Sequence, residues 1–153
     1  MNISNQYIAG FIDGEAYIGL IKKTSNKCTL GFYYKPNIKV AQRTKYGFVL
    51  EKLKEKYGGY ITTRKQLEQS NQCAVDTWEI ANKPMVKELL MDIKDFSIVK
   101  NEHIKLLLEF IDFPSTHIDR NNNKRKDEIY AEMRKLNKRG LAETKWDGII
   151  LPV

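Results

Sequence analysis

The sequence predicts an α+β domain whose elements follow the order αββαββα, with further helices toward the C-terminus. A helix followed by two strands is indicated twice, over residues 5–42 and again over residues 44–81. Apolar residues make up 42% of the 153 residues and charged residues 29%, a balance typical of globular domains. A chain of this length can bury a substantial core, and no linker or low-complexity segment interrupts it, so we expect one domain over residues 1–153.

The first helix-strand-strand unit opens the chain. We predict a helix over residues 5–13, with Ser4 or Asn5 as its N-cap, because a side-chain oxygen there can accept from the first free backbone N–H groups. A strand over residues 17–24 follows at once, and the turn signal Ser-Asn-Lys separates it from a long strand over residues 29–42. Aromatic and β-branched residues fill this second strand, which favours sheet structure.

The second unit repeats this order, but only the first unit has a proline within a strand. Apolar residues at roughly helical spacing predict a helix over residues 44–57, and a pair of glycines ends it. Strands over residues 59–66 and 74–81 follow. In the first unit, Pro36 interrupts the long strand, and proline cannot donate to a β-ladder. We therefore expect a bulge or bend over residues 35–37.

Three helices are predicted after the second unit. Pro84, suited to a first helical turn, begins a helix over residues 83–93. A second, over residues 100–113, has its apolar residues on one face, and a charged helix follows over residues 124–138. The tail over residues 140–153 is too irregular to assign, although its tryptophan and isoleucines indicate that it docks on the domain.

Charge and cysteine content limit the partners and the compartment. The net charge of +7 and the pI near 9.3 favour a polyanionic partner, because phosphate neutralisation by Lys and Arg stabilises nucleic-acid complexes. Cys28 and Cys73 lie far apart without histidines at zinc spacing, which argues against a zinc site and suits a reducing interior. No secretion signal or apolar stretch of about 20 residues is present, so we expect an intracellular protein without a membrane partner.

Two acids and two glycines near the start of the chain form its most informative pattern. Asp13 and Glu15 follow an apolar helix, where the negative end of the helix dipole disfavours acids, so both need a compensating partner such as a divalent cation. Gly10 and Gly14 lie one helical turn apart with Ala9 alongside, which leaves a helix face with few side chains. Such spacing lets two helix backbones approach closely.

The segment over residues 8–15 (Ile-Ala-Gly-Phe-Ile-Asp-Gly-Glu) resembles the signature of the LAGLIDADG homing endonucleases. Ala16 is the one departure, at a position where that family usually has glycine. The resemblance implies the same αββαββα fold with an antiparallel DNA-binding sheet. A short chain with one motif is similar to the homodimeric branch. This implies a homodimer that binds a long, near-palindromic DNA site and hydrolyses both strands with a divalent metal.

The resemblance also implies roles for the motif residues. Glu15 corresponds to the acid that binds the metal and acts in catalysis, with the backbone carbonyl of Gly14 beside it. Asp13 corresponds to the first acid, a structural residue that holds the helix end. Ala9, Gly10 and Asp13 fall on the expected dimer interface. The implied cofactor is Mg²⁺, which favours one or two carboxylates together with phosphate oxygens and water; Mn²⁺ or Ca²⁺ can substitute for binding.

Two further catalytic residues are expected from the same resemblance. Gln42 ends the second strand, where the family often has a polar residue that organises water near the metal. Lys100 begins a helix where the family often has a basic residue near the scissile phosphate. Some relatives also have an arginine shortly after the Gln42 position, where this chain has Tyr46; Lys45 or Arg43 is a possible substitute.

Alternation along the predicted strands indicates which side chains leave the core and are available to DNA. Leu30, for example, is expected to face inward. A β-ribbon can enter the major groove, and a hydrophobic side chain such as Ile21 suits a thymine methyl group there. The expected DNA-binding residues are Tyr17, Ile21, Lys23, Tyr33, Lys35, Asn37, Lys39, Thr62, Arg64, Gln66, Thr77 and Glu79. An ordinary solvated sheet face would show the same alternation.

Two other kinds of function remain compatible with these patterns. The first is binding without cleavage, by an intron maturase or by a regulator that binds DNA, and such a binder would tolerate loss of the metal-binding acid. The second is a basic interaction domain with a coincidental motif, and it predicts a monomer. Retention of Glu15 favours the nuclease.

Overall fold

The computed structural model describes residues 2–66, 71–114 and 122–138; the predicted docking tail over residues 140–153 lies outside them. Its elements confirm the predicted α+β order. They are α1 (Asn5–Glu15), β1 (Ala16–Thr24), β2 (Phe32–Arg43), a 3₁₀ turn (Thr44–Tyr46), α2 (Phe48–Tyr57), β3 (Tyr60–Arg64), β4 (Val75–Ile80), α3 (Lys83–Ile93), α4 (Asn101–Asp112) and α5 (Asn123–Leu136). Within the described ranges, every helix is too short or too polar to span a bilayer.

The four strands form one antiparallel sheet in the order β1-β2-β4-β3. Contrary to the prediction of a bulge or bend, Pro36 lies in continuous register opposite Leu20. The pairing of β2 with β4 begins only at Ile38, so Pro36 occupies a stretch where β1 is the only paired neighbour of β2. Proline is tolerated where one side of a strand lies outside the ladder.

The core lies between one face of the sheet and the helices. α1 contributes Ile8, Ala9 and Ile12, all fully buried, and its N-cap is Ser4, whose hydroxyl accepts from the N–H of Tyr7 at 3.2 Å. The sheet contributes the alternating inward residues of β1, β2 and β4, and α3 and α4 cover them with apolar faces. Burial of this apolar surface is the main force that holds α1 against the sheet.

The hairpin between β1 and β2 differs from its prediction. The second strand begins at Phe32 and not at residue 29, because a loop with a positive φ of 76° at Gly31 precedes it. Leu30, expected to face the core, is therefore 54% exposed in this loop.

α5 is fastened to the domain by polar contacts at both of its ends. The guanidinium of Arg125 donates to both oxygens of Glu109 on α4, at 2.6 and 2.8 Å. Beyond the other end, the side-chain amide of Asn137 donates to the carbonyl of Ile18 at 2.8 Å, and its oxygen lies 3.0 Å from Nε2 of His103. Because β1 is an outer strand, the Asn137 contact also covers part of an exposed sheet edge.

Candidate functional site

The carboxylate of Asp13 is bound by the segment that leads into α4. It accepts hydrogen bonds from the Ser97 hydroxyl and from the backbone N–H groups of Ile98, Val99 and Lys100, the last three at 2.7, 3.2 and 3.1 Å. Asp13 thus binds the backbone of the segment just before α4, near a helix N-terminus where a negative charge is favourable. These four donors are the compensating partner that an acid near the negative end of a helix dipole requires.

These donors also explain the acidity of Asp13. Burial by itself would raise the pKa of the carboxyl group, but the hydrogen bonds from Ser97 and the three backbone N–H groups outweigh it, and the pKa lies below its usual range. Asp13 is expected to hold the end of its own helix and to lie at a dimer interface. Within the chain, its hydrogen bonds join the end of α1 to the segment that leads into α4.

Glu15 differs from Asp13 in its exposure and in its lack of bonds to the described residues. It is the last residue of α1, it is exposed, and it makes no hydrogen bond or ion pair with any described residue. Gly14, also exposed, belongs to the last helical turn, where backbone carbonyls lack partners inside the helix. A free carboxylate and a carbonyl oxygen at one point are the donors that Mg²⁺ accepts when phosphate and water supply the remaining ligands.

The described part of the chain offers no complete metal site of its own. It contains no group of three or more His, Cys, Asp or Glu residues placed to hold an ion. The acidic ligands available at the end of α1 therefore reduce to Glu15, and a site there requires oxygens from another molecule. A hard cation shared between a protein carboxylate and a nucleic-acid phosphate meets this requirement.

The two other predicted catalytic residues lie near the same end of α1. Gln42 is half-buried on β2, two residues past the pair formed by Val40 and Ala16, the residue that follows Glu15. Lys100 is the residue before α4, and its backbone N–H is bound to Asp13. The fold therefore brings the ends of α1 and β2 and the start of α4 together.

The two residues considered as substitutes for the missing arginine, Lys45 and Arg43, lie on the 3₁₀ turn and just before it. Tyr46 is 51% exposed, and the ammonium group of Lys45 lies 4.8 Å from the centre of its ring. Arg43, the last residue of β2, is also exposed. Both Lys45 and Arg43 thus remain available to a ligand, and the contact of Lys45 with Tyr46 ties its position to the aromatic ring.

One face of α1 is not covered by any other described part of the chain. A Cβ atom placed on Gly10 or Gly14 would meet no heavy atom within 4 Å, leaving aside the helix's own backbone. Tyr7 lies on the same face, 49% exposed, with its ring stacked on Phe11 at 6.3 Å. Ala9 was predicted at the interface, and that prediction is wrong because Ala9 has no exposed surface and packs into the core of its own chain.

Ten of the twelve predicted DNA-binding residues lie on the outward face of the sheet with at least part of their surface exposed, and Gln66 and Asn37 are the two exceptions. Pairs that share this face include Tyr17 with Lys39 and Thr62 with Thr77. Gln66 lies beyond β3, which ends at Arg64, so it is exposed in the following segment and not on a strand. The residues that the register keeps on the outward face are Tyr17, Ile21, Lys23, Tyr33, Lys35, Lys39, Thr62, Arg64, Thr77 and Glu79.

Asn37 is the second exception. It points toward the outward face, but it has no exposed surface, so the prediction that it contacts DNA is wrong. Its amide nitrogen donates to Oε1 of Glu79 at 2.5 Å, and its oxygen is buried without a hydrogen-bond partner. Strand alternation predicts the side of the sheet on which a residue lies, but it does not predict how far a short side chain reaches beyond its neighbours.

Sequence reasoning missed two features beside this face. Tyr60 lies directly opposite Glu79, whose carboxylate raises the pKa of the Tyr60 hydroxyl. Because Tyr60 lies two residues before Thr62 on β3, strand alternation alone would have placed it among the outward residues. The second feature is a recess formed by Tyr17 and the basic end of α5, and no local sequence pattern predicts that these two lie together. Its lining residues are Tyr17, Arg134, Lys135, Asn137 and Lys138.

The described residues thus form an α+β domain with an open helix face, an exposed acid at the end of that helix and lysines on the outward face of an antiparallel sheet. The model of the LAGLIDADG endonuclease family matches residues 8–93, which is more than half of the chain. The chain therefore belongs to this family. No curated protein matches the sequence.

Solved structures share this fold at low sequence identity. The homing endonuclease I-CvuI, in complex with its target, has a TM-score of 0.72 and 18% identity, and the match covers 92% of this chain and 88% of that one. The archaeal intron-encoded homing endonuclease I-Vdi141I, complexed with DNA, has a TM-score of 0.72 and 23% identity, covering 90% and 86%. The group I intron-encoded endonuclease I-CeuI, also complexed with DNA, has a TM-score of 0.65 and 20% identity, covering 86% and 66%.

Proposed function

We propose that this protein is a site-specific DNA endonuclease that acts as a homodimer on a near-palindromic duplex and cuts both strands with a divalent metal ion. The observation that carries the proposal is the exposed carboxylate of Glu15, which pairs with none of the described residues, at the end of a helix whose Gly10 and Gly14 face meets none of them either. An acid without a partner beside a bare helix face suits a site that a metal ion, DNA and a second copy complete.

Two copies are needed because each chain supplies one such acid. Pairing of two α1 helices across a two-fold axis would place the two Glu15 side chains near each other, one for each DNA strand. The lack of a side chain at Gly10 and Gly14 allows the two backbones to approach closely. A two-fold protein of this kind favours a DNA site with the same symmetry.

The chain's own residues fit phosphodiester hydrolysis. Glu15 and the carbonyl of Gly14 would hold the metal ion, which when bound supplies Lewis acidity at the phosphate and a more acidic water. Gln42 would orient the water by hydrogen bonding. Lys100 would place positive charge near the phosphate, where negative charge develops. Asp13 would act indirectly, because it fixes the segment that carries Lys100.

The solved structures of similar fold support both the substrate and the metal. I-CvuI was crystallised with DNA targets in the presence of Ca²⁺ and, separately, of Mg²⁺. I-Vdi141I and I-CeuI were likewise crystallised with DNA. The net charge of +7 supports the same partner, since Lys and Arg on the outward sheet face can neutralise backbone phosphates.

Selection from a pool of randomised DNA duplexes tests this function. The purified chain is incubated with the pool with and without Mg²⁺, and bound and cut molecules are sequenced separately. Cuts in both strands that depend on Mg²⁺ and lie within a near-palindromic consensus are the expected result. A bound consensus that is never cut would indicate a non-cleaving regulator. If the chain neither binds nor cuts any duplex, that result would contradict the DNA endonuclease and favour an RNA-directed maturase.

A further inference from the structure

A single row of side chains crosses all four strands on the outward face of the sheet. Tyr17 on β1 lies opposite Lys39 on β2, Lys39 lies opposite Glu79 on β4, and Glu79 lies opposite Tyr60 on β3. The middle of this row is therefore a lysine beside a glutamate, with one tyrosine on each side. Directly opposite side chains on neighbouring strands are close enough to act together.

The carboxylate of Glu79 has three polar neighbours. It accepts from the amide of Asn37 at 2.5 Å, and the ammonium group of Lys39 lies 3.7 Å away. Tyr60 lies directly opposite on β3, where the carboxylate raises the pKa of the tyrosine hydroxyl. The side chain of Glu79 is 15% exposed, whereas that of Lys39 is 45% exposed. Asn37 is itself fully buried, so it provides a fixed support behind the carboxylate.

This arrangement leaves hydrogen-bonding capacity directed outward. A carboxylate has about four lone-pair positions, so positions remain for a ligand beside the contacts with Asn37 and Lys39, and an ammonium group has three donors. Lys39 and Glu79 thus present donors and an acceptor side by side, separated by 3.7 Å. A non-specific phosphate-binding surface would gain nothing from a carboxylate in its centre, because like charges repel.

We propose that Lys39 and Glu79 together read one G·C base pair in each half of the DNA target, an inference that rests on the proposed DNA-binding function. Guanine presents two acceptors, O6 and N7, in the major groove, and its paired cytosine presents the N4 donor beside them. Lys39 donates to guanine while Glu79 accepts from cytosine. An A·T pair fits less well, because adenine offers the ammonium a single acceptor and the thymine methyl group faces the two charges.

Asn37 and Tyr60 are positioning residues in this arrangement. Neither needs to contact DNA, since Asn37 donates a hydrogen bond to Glu79 and Tyr60 lies directly opposite it on β3. The bond from Asn37 restrains the carboxylate from closing its 3.7 Å separation from Lys39 into a direct hydrogen bond. Their contacts keep an acceptor and a donor separately available to the two bases.

The test compares base preferences selected by the full chain and by single-residue variants from a randomised duplex pool, with Ca²⁺ in place of Mg²⁺ so that binding is measured without cutting. The variants are Lys39→Ala and Glu79→Ala. Lys23→Ala, at the far end of β1, is the control for removing one positive charge from the same face. Thermal unfolding of each variant verifies that the fold is retained.

Lys39→Ala and Glu79→Ala should both relax the preference at the same G·C pair, by about fivefold or more, while other positions keep their preference. Lys23→Ala should leave that pair unchanged. The assignment is overturned if the two variants relax different base pairs, relax an A·T pair, or leave a well-defined consensus unaltered. A wild-type pool without any consensus would contradict the proposed function itself, which distinguishes the two failures.

Discussion

The carboxylate of Asp13 accepts a hydrogen bond from the backbone N–H of Lys100 at 3.1 Å, across 87 positions of the sequence. This contact joins the end of the motif helix to the start of α4. It means that the first acid of the motif has a structural task, and that the second, Glu15, remains free for a ligand. Two acids two residues apart thus have different roles because only one of them faces a set of N–H donors.

Replacement of Asp13 by Asn should destabilise the fold, because the amide group cannot accept all four hydrogen bonds and would oppose a backbone N–H with its own NH₂. Bonds to a charged acceptor of this kind each contribute about 1.5–3 kcal/mol, so a net loss of about 1–3 kcal/mol and a fall in Tm of several degrees are expected. Thermal unfolding by circular dichroism measures it. Asp95→Asn, at an exposed position after α3, is the control and should leave Tm unchanged.

Replacement of Gly10 by Leu should abolish the dimer without unfolding the protomer. The space next to Gly10 is empty within the described part of one chain, and leucine is a better helix former than glycine by up to about 1 kcal/mol. In a helix pair the same side chain would keep the backbones apart. Sedimentation at micromolar concentration should give a dimer for the wild-type chain and a folded monomer for the variant.

The control for this experiment adds a leucine elsewhere. Glu88 is exposed on α3, so Glu88→Leu should keep the dimer mass. A Gly10→Leu protein that still sediments as a dimer would contradict the helix-pair interface. Gly10→Ala, with a smaller side chain, should give intermediate dissociation.

His103 should make the protein less stable as the solution becomes acidic. Burial lowers its pKa, the charge of Lys100 lowers it further, and the hydrogen bond with Asn137 and the charge of Glu102 only partly oppose this. The unfolded chain therefore takes up a proton near pH 6.5 that the folded chain does not bind until lower pH. The contribution of neutral His103 to the free energy of unfolding is therefore fully present above about pH 7, and it decreases as the pH falls below about 6.5.

Urea unfolding at several pH values between 7.5 and 5 measures this dependence. His103→Gln removes the titrating group while keeping a side chain that can bond to Asn137, so its stability should decrease less over the same range. Above pH 7 the two proteins should differ by a constant amount. Parallel curves throughout the range would show that protonation of His103 has no part in acid sensitivity.

Much of the fold could be predicted from the sequence because the helices and strands have clear apolar periods. The interpretation failed where the outcome depends on a distant partner. Asn37 follows the alternation of β2, yet its contact with Glu79 on β4 buries it. Pro36 would disrupt a central strand, but β4 stops short of it. Neither outcome can be derived from the local pattern.

The candidate site was predicted only where it depends on local sequence patterns and not on distant partners. A motif of consecutive residues identifies Glu15, and helical periodicity identifies the bare face at Gly10. The same spacing did not separate Ala9, which lies one residue away but about 100° around the helix and inside the core. The donors that bind Asp13 come from residues more than 80 positions away, so sequence spacing contains no sign of them.

The central claim is that Glu15 holds the metal ion for DNA cleavage, and the most direct measurement compares cutting and binding by Glu15→Gln on a target selected by the wild-type chain. The account predicts that Mg²⁺-dependent cutting falls by at least about 100-fold while affinity for the duplex changes little, since the amide keeps the shape of the side chain and loses its charge. Glu88→Gln, an exposed change of the same chemistry on α3, should cut normally. Undiminished cutting by Glu15→Gln would contradict the claim.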